Sequence, residues 1–156
     1  MTTPRGLYFE EFEPGYKVTT NGRTICEADI MLFAGLSGDW NPMHTDAEYS
    51  GQGMFGERVA HGMLGLSMAS GLAFQTGFIN HTVEAFTGLE WKFRAPIRIG
   101  DTITVEAEVK GKKLAPGGNS GFVEFNVNVR NQRGERVQRG TWMIVVKCKP
   151  QEESGS

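Results

Sequence analysis

A hydrophobic helix that runs straight into a polar turn constrains this chain more than any other feature. Residues 33–46 read Phe-Ala-Gly-Leu-Ser-Gly-Asp-Trp-Asn-Pro-Met-His-Thr-Asp. The spacing of Ile30, Phe33 and Ala34 predicts a short helix over Glu27 to Leu36. Gly38 suits the left-handed residue that ends such a helix. Pro42 keeps Asn41 out of helical conformation and fixes the exit from the turn. Fully extended, the stretch from Asp39 to His44 would span roughly 17 Å. A turn folds that distance back, so both side chains reach one small volume. Polar groups carried into an apolar setting need partners, and this turn is therefore the first place to look for chemistry.

A carboxylate and an imidazole held together can pass protons to and from one water near neutral pH. The structural alternative makes Asp39 a cap for the next helical turn and His44 a satisfied core histidine. Asn41 braces the turn, or orients Asp39 through its side-chain amide. Trp40 reads as packing. Thr45 to Tyr49 fits one further helical turn, and the glycine-rich Gly51 to Gly56 fits a loop.

The longest predicted helix is His61 to Thr76. Met63, Leu64, Leu66, Met68, Leu72 and Phe74 make it apolar nearly all round, without a charge, so it should be buried. Gly62, Gly65 and Gly71 within it each cost about 1 kcal/mol relative to Ala. Close packing on a sheet, or a ligand against the backbone, would offset that cost. The first N–H groups of a helix are unsatisfied and carry the positive end of its dipole. They suit an oxygen that becomes negative during a reaction, and Gly62 lets it approach. The alternative is that His61-Gly62 is only a tight entry to the helix.

Strands follow. Leu89, Trp91, Phe93 and Ala95 alternate with polar residues, as do Ile103 to Val109 and Val123 to Val129. Each set has the period of a half-buried strand. Thr141 to Val146 is apolar on both faces, as in a strand covered on both sides. An earlier strand fits Tyr16 to Ile25, with Asn21-Gly22 as a turn or bulge inside it. Turns are expected at Pro96 to Asp101, Gly111 to Ser120 and Asn131 to Gly134, and Phe9 and Phe12 are possible anchors near the start. The order predicts an α+β architecture: a long buried central helix wrapped by an antiparallel sheet.

The 156 residues fit one domain, 1–150, followed by a polar, flexible tail at 151–156. A net charge of -2 gives no electrostatic footprint for nucleic acid. No apolar run approaches membrane-spanning length, and Met1 to Tyr16 has none of the character of a signal peptide. Cys26 and Cys148 stand too far apart in sequence for a metal or disulfide pattern. A cytoplasmic setting is the expectation.

Leu36 to His44, with Phe33 before it, resembles the hydratase-2 motif of the MaoC-like (R)-specific enoyl-CoA hydratases and dehydratases. A second matching segment is Arg58-Val-Ala-His-Gly-Met-Leu64, and the likeness runs from about Ala28 to about Val109. The resemblance implies a hot-dog fold, usually as a homodimer. It also implies an acyl-CoA or acyl-carrier-protein thioester as substrate, with no cofactor beyond the coenzyme A that the substrate carries. Asp39 and His44 become the catalytic pair, Gly62 the oxyanion donor, and His61, Asn41 and Ser70 supporting or substrate-binding residues. For Ser70 a packing role stands equally open. Hydration of trans-2-enoyl-CoA to (R)-3-hydroxyacyl-CoA, or the reverse, is the expected reaction. An acyl-CoA thioesterase of the same fold is the first competitor, and a non-catalytic acyl-CoA-binding module the second. A metal held by Asp39, His44, Asp46 and His61 finds no supporting spacing, so none is expected. No Gly-x-Ser-x-Gly elbow supports a serine nucleophile, although Gly65-Leu-Ser67 hints at one. Lys110, Lys112 and Lys113 read as a solvated hairpin loop rather than a phosphate site.

Overall fold

Asp29 starts the first long helix by taking the backbone N–H of Cys26 on its carboxylate, at 2.8 Å. This helix, α1, runs Glu27–Ser37 and ends on Gly38, whose φ of 76° is the left-handed conformation that glycine adopts freely. Two short helices follow in the computed structural model, α2 at Pro42–Thr45 and α3 at Ala47–Gly51. The central helix α4 spans Gly62–Gln75. The structure describes residues 4–151; the tail expected at 151–156 lies outside them apart from Gln151.

Among the described residues, six strands make one antiparallel sheet. They are β1 Lys17–Thr19, β2 Arg23–Thr24, β3 Val83–Phe93, β4 Thr102–Leu114, β5 Ser120–Arg130 and β6 Arg136–Lys147. The spatial order is β1-β4-β5-β6-β3, with β2 also on β4. The first strand thus divides at Thr20 to Gly22. Inward residues Val105, Ala107 and Val109 meet Val129, Val127 and Phe125 across the β4–β5 ladder, all buried. Phe9 and Phe12 anchor the N-terminal segment in this core. Phe12 packs edge-on against Tyr16, Phe78 and Phe125.

Four expectations need correction. First, α4 buries Leu64, Leu66, Met68, Leu72 and Ala73, but Met63, Ser67, Ser70, Gly71 and Phe74 form an exposed stripe. The helix lies across β4 and touches α1, and among the described residues its outer stripe stays exposed. Second, among the described residues β3 is an edge strand paired with β6 alone. Its Phe86, Leu89 and Phe93 are 48%, 47% and 53% exposed. Third, β6 buries Trp142, Ile144 and Val146, while Thr141, Met143 and Val145 on the other face are half-buried, because no second layer of the described residues lies there. Fourth, Lys110 to Lys113 belong to β4, which continues through a bulge to Leu114. Lys110 pairs with Glu124, and Lys112 donates to the carbonyls of Phe9 and Glu10.

Candidate active site

The turn is built from its own polar groups. The Asn41 side chain accepts from the Met43 N–H at 3.1 Å and caps α2, with Pro42 in the first helical position. Asp46 does the same for α3 through the Tyr49 N–H at 2.9 Å, which occupies it away from the site. Asp39 Oδ1 accepts from the backbone N–H of Asn41 at 3.2 Å, so Asn41 orients Asp39 through its main chain. Trp40, expected to pack, is half exposed.

His44 is buried, and its Nδ1 lies 2.7 Å from the Val59 carbonyl. A carbonyl only accepts, which places the proton on Nδ1 and leaves Nε2 bare in the neutral ring. That bare nitrogen stands 4.0 Å from Asp39 Oδ2, whose side chain is 51% exposed. The gap is too long for a direct hydrogen bond. Burial pushes the His44 pKa below the ordinary histidine value, and neighbouring His61 adds to the push. The Val59 carbonyl and Asp39 oppose it without reversing it. His44 is therefore held neutral, with its lone pair toward the carboxylate.

His61 is 2% exposed. Its Nε2 lies 2.9 Å from the backbone carbonyl of Asp39, and by the same argument donates to it. Its ring stacks on His44 with centroids 3.9 Å apart and touches Phe33 at 4.9 Å. Its Nδ1 is buried without a partner among the described residues. The donor atoms of Asp39, His44 and His61 come within 4.8 Å of one another. Each ring donates its other nitrogen to a carbonyl, so the three side chains could offer one donor atom each to an ion.

His44 and Gly62 share the wall of a cavity of about 410 Å³. The rest is largely apolar, with Met43, Phe55, Met63 and Phe93 prominent, and Arg94 and Gln138 as its other polar side chains. Asp39, His44, His61 and Gly62 are thus brought together. Ser70 is not: it is exposed, its hydroxyl donates to the Ser67 carbonyl at 2.8 Å, and it does not line the cavity.

Two residues escaped the sequence reading as parts of the site. Arg58 clasps the Glu27 carboxylate with both terminal nitrogens, at 2.8 and 3.0 Å, and donates from Nε to the His44 carbonyl at 2.7 Å. It ties the start of α1 to the end of α2. Gln138, from distant β6, reaches the first turn of α4. Arg58 stands in the second motif segment, which was the available signal; Gln138 had none.

Residues 10–131 match the family model described as MaoC like domain. The chain belongs to the MaoC-like family. An (R)-specific enoyl-CoA hydratase from Rhodospirillum rubrum is 38% identical over 150 residues, covering 91% of this chain and 93% of that protein. Protein MaoC of Klebsiella aerogenes is 43% identical over 112 residues, 71% of this chain but only 33% of that protein. Among solved structures, the monoamine oxidase regulatory protein from Archaeoglobus fulgius superposes with a TM-score of 0.89 at 37% identity, covering 96% of this chain and 100% of its own. A double-hot-dog protein from Mycobacterium tuberculosis superposes with a TM-score of 0.77 at 20% identity, over 96% of this chain and 47% of its own. The fold is a hot-dog fold, as the motif implied. This MaoC-like chain is a hydro-lyase.

Proposed function

We propose that this MaoC-like enzyme adds water to trans-2-enoyl-CoA to give (R)-3-hydroxyacyl-CoA, or catalyses the reverse dehydration. One observation carries the reading. A bare His44 Nε2 and a carboxylate oxygen of Asp39 stand 4.0 Å apart, beside an apolar cavity with Gly62 in its wall. An oxygen placed between them would be within hydrogen-bond reach of both. That oxygen bonds to C3 of the enoyl group, one of its protons passes to the pair, and C2 receives a proton from the pair. Charge that develops on the thioester oxygen is met by the Gly62 N–H, an amide with no intrahelical partner. No redox change occurs, and coenzyme A enters only as part of the substrate. The names of relatives support the chemistry: an (R)-specific enoyl-CoA hydratase from Aeromonas caviae and a 3-hydroxybutyryl-CoA dehydratase from Methylorubrum extorquens. An acyl-carrier-protein substrate is supported by the Arabidopsis thaliana dehydratase relative.

Loss of enoyl absorbance over a chain-length series of enoyl-CoAs tests the reading, with chiral analysis of the product. A single (R) enantiomer is expected. Free-thiol release without hydration would overturn it in favour of a thioesterase. Tight acyl-CoA binding without turnover would do so in favour of a binding module.

A further inference from the structure

The first turn of α4 lies unusually close to the sheet. A Cβ on Gly62 would stand 2.7 Å from the Phe93 ring. One on Gly65 would run into the Gln138 amide and stand 2.8 Å from Ile97 Cδ1. Phe93 and Gln138 are register partners across β3 and β6. Gln138 is only 2% exposed, at an inward position where an aliphatic side chain would cost less to bury.

Both ends of its amide are used. Nε2 donates to the Gly62 carbonyl at 3.0 Å, and Oε1 accepts from the Trp91 indole N–H at 3.0 Å. The indole nitrogen only donates and the carbonyl only accepts, so the orientation of the amide is determined. Trp91 is itself stacked on buried Trp142, with centroids 5.8 Å apart. The chain of contacts thus runs from the sheet through Trp91 and Gln138 to one backbone carbonyl. That carbonyl belongs to a glycine, the residue with the greatest backbone freedom. It is also the residue whose N–H stands at the start of the helix beside the cavity.

We infer that Gln138 is a positioning residue: by anchoring the Gly62 carbonyl it fixes the first turn of α4, so that the Gly62 N–H faces the reacting thioester oxygen. This role rests on the hydratase reading. Gln138 lines the cavity, but both ends of its amide are spent on Gly62 and Trp91, so in this scheme it acts on the substrate through the backbone. It removes the rotational freedom of Gly62, and the amide needs no reorganisation as charge develops. The close approach that Gly62 and Gly65 permit is what brings the amide within reach.

Gln138→Met keeps the length and unbranched shape of the side chain while removing the donor. With enoyl-CoA it should lower kcat by about tenfold or more, since a displacement of about 1 Å at a reacting centre can cost 10²-fold. KM should change less than kcat, because the donor contributes more to the transition state than to the ground state. A binding pair separates this role from plain stability: a saturated acyl-CoA, and the S-alkyl-CoA thioether that lacks its carbonyl. Gln138→Met should narrow the preference for the acyl-CoA over the thioether. Trp91→Phe frees the amide without removing it, and should cause a smaller loss of the same kind. The double variant should be no worse than Gln138→Met.

Wild-type kcat in folded Gln138→Met would overturn the role. So would equal weakening of both ligands alongside a lowered melting temperature. If Gln138→Met does not fold, Trp91→Phe decides by the same readouts: a narrowed preference supports the role, and an unchanged one overturns it. Absence of turnover by the wild-type chain on every enoyl-CoA would overturn the hydratase reading and this role with it. Wild-type turnover that the variants leave intact overturns this role alone.

Discussion

At the scale of single residues, the proposed mechanism has Asp39 and His44 act on one oxygen in one transition state, so their losses should not add. General acid–base catalysis is worth about 10²–10⁴-fold. Asp39→Asn and His44→Gln are each expected to lower kcat by roughly that factor, with the double variant little worse. Wild-type activity in either folded single variant would remove the mechanism. His44 must be neutral to accept a proton, and its pKa lies below the usual value because the ring is buried. The acid limb of kcat/KM should therefore fall below about pH 6.5, the ordinary histidine pKa. The same shift has a stability consequence. As pH drops below about 6.5, the unfolded chain takes up the proton first, so stability declines until pH passes the folded-state value. Acid unfolding of His44→Gln should lack that component, which pH-dependent melting would detect. His61 permits a separate test, since it holds the backbone of Asp39 and stacks on His44. His61→Phe keeps the stack and loses the donor, whereas His61→Gln retains an N–H at similar reach. Kinetics should show a loss in His61→Phe of up to about 10²-fold, the cost of a small misplacement, and partial rescue in His61→Gln. Equal activity in the two would show that the donor contributes nothing. The polar turn was legible because its residues adjoin in sequence and Pro42 allows few paths through it. Gln138 was not, because its partner Gly62 lies 76 residues away and nothing local marks one inward strand position as polar by design.

Between elements, the glycines of α4 divide into two kinds, and the sequence alone could not sort them. Gly62 and Gly65 allow close approach to Phe93, Gln138 and Ile97, whereas a Cβ on Gly71 would meet nothing within 4 Å. Alanine favours a helix over glycine by about 1 kcal/mol. Gly71→Ala should accordingly raise the melting temperature by about 2–4 °C, the shift that 1 kcal/mol produces in a domain of this size. Gly65→Ala carries the same propensity gain but overpacks the helix–sheet junction, at a cost of about 1–3 kcal/mol. It should melt at or below the wild type and lose activity through the displaced first turn of α4. Thermal melts of the two variants beside kcat decide the matter: stabilisation of both would show that the junction yields without cost. Helices α1 and α4 were legible from apolar spacing and from Gly38, whereas α2 at Pro42–Thr45 is too short to show a period and reads as part of the turn. The bounds of β4 were not, since its lysines resemble a loop by composition yet pair with β5 through Leu114. Ladder hydrogen bonds, which composition does not report, decide where a strand ends.

For the molecule as a whole, two of the departures from expectation concern apolar surface, on β3 and on α4. The strand pattern of Leu89 to Phe93 and the apolar girth of α4 predicted buried surfaces, but the described residues cover only part of them. An edge strand with exposed Phe86, Leu89 and Phe93, and a helix with exposed Met63 and Phe74, remain open. An unpaired edge of eleven residues offers its backbone groups to another chain. A long bare apolar edge is an aggregation liability, and a second copy pairing β3 with β3 would satisfy both edges by one two-fold axis. We therefore expect a homodimer, as the family likeness also implies. Phe93 and Met63 line the cavity as well as this open surface, so dimerisation would close the acyl site from outside. Sedimentation at micromolar concentration should find a dimer. Leu89→Lys, which places a charge on the edge without touching the cavity wall, should shift the protein toward monomer and lower activity at low concentration. Raising the concentration should restore both together, by mass action. A fully active wild-type monomer would overturn the dimer, and a Leu89→Lys dimer of wild-type stability would move the interface away from β3.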